Sequence, residues 1–79
     1  MKRVITYDIK EGNSYNDFYD FIERFHGVKI TKSTYIVETV LSQDAFEKIL
    51  KSIFSKGDNV AYISVNEDSQ LFYTRIKPN

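Results

Sequence analysis

The feature that most constrains this chain is the run Val4-Ile5-Thr6-Tyr7-Asp8-Ile9. Five of its six residues are β-branched or aromatic, the types that fit a pleated, half-buried surface. Side chains alternate across a strand, so Val4, Thr6 and Asp8 share one face while Ile5, Tyr7 and Ile9 share the other. Both faces are largely apolar, which predicts a central strand covered on two sides. The exception is Asp8, a carboxylate at the strand's exit. An acid there must be solvated, hydrogen-bonded or bound to a cation.

Seventy-nine residues suffice for one domain, 1–79, with no room for a second core. A core of that size is marginal, and small folds are usually braced by disulfides, metals or oligomerisation. With no cysteine and a single histidine, disulfides and the usual zinc sites are excluded. Oligomerisation is the brace that remains, and a homodimer is expected. Eleven Lys/Arg balance eleven Asp/Glu, which argues against strong non-specific coating of DNA by charge alone. No stretch approaches the ~20 apolar residues of a membrane span. Met1-Lys2-Arg3 leads into a strand pattern rather than a signal peptide. No membrane partner is expected, and the lack of cysteine is compatible with a cytoplasmic location.

After the first strand, Lys10-Glu11-Gly12-Asn13 reads as a turn. Ser14 is placed to cap a helix, with Asp17 three residues on as a weak capping box. Phe18, Phe21, Ile22 and Phe25 follow at i, i+3, i+4 and i+7, a single apolar face. His26-Gly27 ends the helix, with Gly27 as the left-handed cap and His26 as a capping residue. Val28 to Lys32 alternates as a strand, Ser33 marks a bend, and Thr34 to Val40 reads as a longer strand. Ser42 caps a second helix whose stripe is Ala45, Phe46, Ile49, Leu50, Ile53 and Phe54, and Gly57 stops it. Asn59 to Val65 is a strand, Asn66-Glu67-Asp68-Ser69 a turn, and Leu71 to Ile76 a last strand.

The order is strand, helix, strand, strand, helix, strand, with one extra strand at the C-terminal end. It predicts an α+β, ferredoxin-like βαββαβ sandwich, an antiparallel sheet with two helices on one face. The helix-free side should be partly apolar, with Thr6, Tyr35, Val37, Tyr62 and Tyr73 as its candidates. Such a face is best buried against a second copy.

Two motifs and the element order then resemble a known family. The strand-terminal Tyr7-Asp8-Ile9 resembles a Y-D-I ending, and Gly27 through Tyr35 is similar to the pattern G-x-[RK]-V-x-x-S-x-[FY]. Together they resemble the small dimeric endonuclease-like subunit of CRISPR adaptation and the virulence-associated protein D toxins that share its fold. The chain departs from that pattern in two places. The first helix carries Asp17 and aromatic residues where relatives often carry arginines, and Thr31 stands where the family has glutamine. Both departures weaken the case for binding duplex DNA.

The resemblance implies that Asp8 is a metal ligand. Magnesium prefers oxygen ligands and keeps several waters. One carboxylate per chain is a poor site, and two copies of Asp8 across a dimer axis would make a workable one. Ser33 and Tyr35 are candidates to donate hydrogen bonds to a phosphate, with Lys10 or Lys32 pairing with it. The equally weighted alternative makes Asp8 a turn former that accepts from backbone amides two residues on. The functional expectation is a magnesium-dependent nuclease of toxin type, an endoribonuclease acting on RNA, or alternatively DNA. The alternative is a catalytically inactive dimeric module of the same fold that binds a protein partner. A small-ligand regulatory domain has fold analogy as its only warrant.

Overall fold

The first strand, β1 (Lys2–Asp8), is the axis of the fold. In the computed structural model, residues 1–65 and 71–76 are described, with Leu71 to Tyr73 described through their backbone. The other elements are α1 (Asn16–Arg24), β2 (Val28–Thr31), β3 (Thr34–Glu38), α2 (Gln43–Ile53), β4 (Asn59–Val65) and β5 (Leu71–Ile76). The five strands make one sheet in the order β2-β3-β1-β4-β5, with every neighbouring pair antiparallel. This is the expected ferredoxin-like arrangement with an extra edge strand, and β1 is its centre.

Coverage is one-sided, which corrects the expectation of a strand buried on both faces. Ile5 and Tyr7 are buried, as is Ile9 just beyond the strand, whereas Thr6 and Asp8 are exposed and Val4 is half-buried. Both helices pack against the first set. Phe18 lies 4.3 Å from Tyr7 and 5.3 Å from Phe54, ring to ring. Phe46 meets Tyr62 edge-on at 5.1 Å. Aromatic pairs in these geometries stabilise a core beyond the area they bury.

Register fixes which face each residue takes. Ile5 stands opposite Tyr35 on one side and Tyr62 on the other, so all three share the helix-covered face. Val37, opposite Arg3, joins them. Tyr62 and Val37 are fully buried and Tyr35 packs edge-on against Phe18. The expectation that Tyr35, Val37 and Tyr62 form the helix-free face is therefore reversed, while Thr6 lies on it as expected. Tyr73 stands opposite Ile63 in register, and its side chain lies outside the described ones. The helix-free face instead carries Val28, Ile36, Val4 and Ile63, one from each of four adjacent strands in a continuous row.

Local chemistry accounts for the element ends. Ser42 caps α2 as expected, its hydroxyl accepting from the Ala45 amide at 3.2 Å. Ser14 does not cap α1 in that way. Its hydroxyl accepts from Asn16 two residues on, a local turn that competes with an N-cap, and the helix starts at Asn16. At the other end His26, not Gly27, adopts the left-handed conformation (φ 52°). The Gly27 amide donates to the Ile22 carbonyl at 2.8 Å, closing the helix. Gly27 is needed for space, because a Cβ there would lie 2.8 Å from the Ile22 side chain. Phe54 follows the last helical residue of α2 and is buried. Strand β2 ends at Thr31 and β3 at Glu38, earlier than expected. Lys32-Ser33 is a two-residue turn between the Thr31–Thr34 pair, and the register slips around Ile30. The expected turn at Asn66 to Ser69 lies outside the described residues.

One buried cation escaped sequence reasoning. Arg3 is sealed on the covered face, donating to the Ser64 hydroxyl at 2.7 Å and to the Leu41 carbonyl at 2.9 Å. Its guanidinium sits 4.7 Å above the Phe46 ring, a favourable contact for a desolvated cation. It ties β1 to β4 and to the segment entering α2.

Candidate functional site

Asp8 ends β1 on the helix-free face, two residues past the last β1–β3 pair, Thr6–Thr34. Its position follows from the alternation: the same strand that buries Tyr7 presents Asp8 to the opposite side. Around it lies a shallow, open depression lined by Thr6, Asp8, Ser33, Asn59, Ala61 and Arg75, among others. Among the described residues the Asp8 carboxylate accepts no hydrogen bond. The Lys10 amide, which the turn-former alternative would give it, donates instead to Asp58 Oδ1 at 2.8 Å.

Asp58 is the counterpart of Asp8 in every respect except residue type. It is buried, and besides Lys10 it accepts from Asn13 Nδ2 at 2.8 Å and from the Ser55 amide at 2.8 Å. Burial on its own would raise its pKa. The hydrogen bonds from Asn13, Ser55 and Lys10, with the Lys10 ammonium nearby, outweigh that and hold the carboxyl below its ordinary value of 3.8. Asp58 is thus a structural acid that fastens the β1–α1 turn to the α2–β4 turn. The Lys10 stem lies against Gly57 in that same latch.

Ser33 reaches the depression because Tyr7 holds its turn. The Tyr7 amide donates to the Ser33 carbonyl at 3.0 Å, and the Tyr7 hydroxyl donates to the Lys32 carbonyl at 3.0 Å. Burial, with smaller contributions from Tyr35, Tyr19 and Tyr15, pushes the Tyr7 phenol up to about 12. It therefore stays protonated at neutral pH and acts as a fixed donor that positions the turn, not as a base. Asp8 and Ser33 are brought to one depression. Tyr35 is placed on the opposite face, 6.1 Å from Tyr7 and 5.7 Å from Phe18, ring to ring.

Two residues that sequence reasoning did not single out complete the depression. Asn59 stands directly opposite Asp8 in the β1–β4 ladder. Arg75, on β5, donates from Nη2 to Asn59 Oδ1 at 3.1 Å. No signal in one sequence could pair them, since a single sequence does not state the β4–β5 register.

Oxygen donors of this kind suit a hard cation, but the described residues bring a single carboxylate to the depression. Among the described residues no group of three or more His, Cys, Asp or Glu side chains comes together. No described helix is long and apolar enough to cross a membrane.

Comparison with protein families gives a match to the family described as CRISPR associated protein Cas2, over residues 1–74. Searches among curated proteins and among solved structures returned no match.

Proposed function

The chain belongs to the CRISPR associated protein Cas2 family, and from that premise we propose that it is a magnesium-dependent endoribonuclease acting as a homodimer, with Asp8 of each protomer sharing one ion. The observation that carries this reading is Asp8 itself: exposed, engaged by no described side chain or amide, and lining the same depression as Ser33. A carboxylate held ready at the end of a rigid central strand is suited to bind a cation. The apolar row Val28, Ile36, Val4 and Ile63 supports the dimer, since it leaves Val28 60% exposed on a face no helix covers. Association of two copies through that face would bury the row and bring the two Asp8 carboxylates near a common axis.

A single Asp8 supplies too few ligands for the ion; two copies would hold it as hard oxygen ligands, with waters as the remaining ligands. Held by the two Asp8 carboxylates, magnesium would supply an acidified water and offset charge on a phosphodiester. The chain's own part is orientation. Asp8 fixes the ligand position through β1, Tyr7 holds the turn that carries Ser33, and the Ser33 hydroxyl donates to a phosphate oxygen. Tyr35 acts from behind the sheet, supporting Tyr7 by packing rather than by touching substrate.

The test is incubation of labelled single-stranded RNA with purified protein and magnesium, beside Asp8→Ala. Cleavage should fall by a factor of about 100 or more in the variant. Equal cleavage by both proteins, or by neither, overturns the reading. A second reading, a non-catalytic module that binds a protein partner, is favoured by the outer face of α1, where Asp17, Asp20 and Glu23 replace the basic surface a nucleic-acid binder would show. Retention of one protein partner and no nucleic acid at physiological salt would support it.

A further inference from the structure

The pairing of Arg75 with Asn59 has no structural necessity. Both side chains are exposed on the helix-free face, where a lone surface hydrogen bond contributes little to stability. Its effect is orientational. Arginine has only donors, so the atom of Asn59 facing it must be the carbonyl oxygen. The amide nitrogen of Asn59 is thereby turned away from Arg75, with both its hydrogens unused among the described residues. Asn59 stands opposite Asp8, and side chains so paired have Cβ atoms about 5 Å apart.

Asp8 and Arg75 line one depression and yet form no ion pair. The one salt bridge among the described residues joins the N-terminal amine to Glu38, elsewhere on the sheet. Asn59 stands opposite Asp8, while Arg75 stands opposite Ala61 two residues along and reaches Asn59 diagonally, so the two charges stay apart and each remains available to a ligand. The depression therefore offers a carboxylate on β1 and a planar fork of N–H donors at the β5 side, with Ser33 on the β3 side of Asp8. A group that satisfies both is an anion with several equivalent oxygens, which accepts from the guanidinium while sharing a cation with the carboxylate. A phosphodiester has that form, and bidentate guanidinium contacts match its oxygens.

We propose that Arg75, oriented by Asn59, is the phosphate clamp of this site and grips the backbone of a single-stranded nucleic acid beside Asp8. The proposal deepens the nuclease reading and rests on it for the identity of the ligand. Arg75 contacts the phosphate, and Asn59 is a positioning residue that acts through Arg75 and through its own free amide.

The test separates binding from cleavage. Anisotropy of a fluorescein-labelled single-stranded RNA is measured without magnesium for the wild type, Arg75→Gln, Arg75→Lys, Asn59→Ala and Asp8→Asn. Arg75→Gln should weaken binding by about tenfold and lower the slope of log K against log salt by about 0.7, the loss of one phosphate contact. Arg75→Lys should restore the slope but only part of the affinity, because a point charge lacks the fork. Asn59→Ala should weaken binding by a smaller factor, and Asp8→Asn should bind at least as well as the wild type. Wild-type affinity and salt slope in Arg75→Gln would overturn the clamp, and would leave the nuclease reading standing if Asp8→Ala is inactive. Weakened binding in Arg75→Gln with no cleavage by any variant would support the clamp and sink the nuclease reading. Failure of the wild type to bind RNA at all would remove both.

Discussion

Asp8, at the end of β1, and Asp58, one residue before the adjacent β4, lie one register step apart and do opposite things. Asp58, just before β4, turns to the interior and takes three hydrogen bonds, from Lys10, Asn13 and Ser55. Asp8, at the end of β1 and opposite Asn59, turns outward and takes none from the described residues. The same contrast holds for the two sides of the sheet. The covered side spends its polar groups on holding the fold together: Arg3 on Ser64 and Leu41, Tyr7 on Lys32. The open side leaves Asp8, Ser33, Asn59 and Arg75 around one depression. An isolated carboxylate is therefore informative only once its hydrogen-bond donors have been accounted for, and here the account separates a fastening acid from an unengaged one.

If the two sides divide in this way, substitutions should divide with them. Phe18→Ala, at the centre of the aromatic cluster, should cost about 3–5 kcal/mol in urea unfolding. A loss under about 1 kcal/mol would mean that the covered side is not where stability resides. Asp58→Ala strands the amides of Lys10 and Ser55 and should cost about 2–3 kcal/mol by the same measurement. The pH dependence sharpens this. The folded pKa of Asp58 is depressed, so its contribution is complete above the ordinary carboxylate value near 3.8 and is lost as pH falls through the lower folded value. The midpoint temperature of the wild type should therefore drop more steeply below about pH 4 than that of Asp58→Asn.

On the open side, if the proposed dimer forms through this face, Ile36→Lys should leave the protein monomeric in sedimentation at fixed concentration, with the helical circular-dichroism signal kept. An unchanged sedimentation coefficient would overturn association through this face. The smallest effect on stability should come from Asp8→Ala, within about 0.5 kcal/mol of the wild type. A large loss there would show that Asp8 is another fastening acid and would dissolve the contrast.

The element order was legible in the sequence because the apolar spacing switches cleanly between strand and helix periods, and Ser42 and the β4 bounds Asn59–Val65 were read correctly. The facing of Tyr35, Val37 and Tyr62 was not legible. Alternation fixes which residues share a side, but β1 and β3 are apolar at both parities, so the pattern does not say which parity meets the helices. Only the register Tyr35–Ile5–Tyr62 decides it. Arg3 was hidden because a cation near a strand's start reads as surface, and its burial depends on Phe46 and Ser64, both far along the chain. Asp8 and Ser33 were found from local motifs. Asn59 and Arg75 were not, because their meeting depends on how β4 lies against two other strands.

The alternation of β1 also bears on how such a protein changes over time. Positions 3, 5 and 7 are committed to the interior, while 6 and 8 project into solvent. A lineage can therefore discard, restore or retune its chemistry at the outward positions without first surviving a loss of folding. Descendants with different activities, or with none, would then be expected to look alike inside and to diverge on the other side of a single strand.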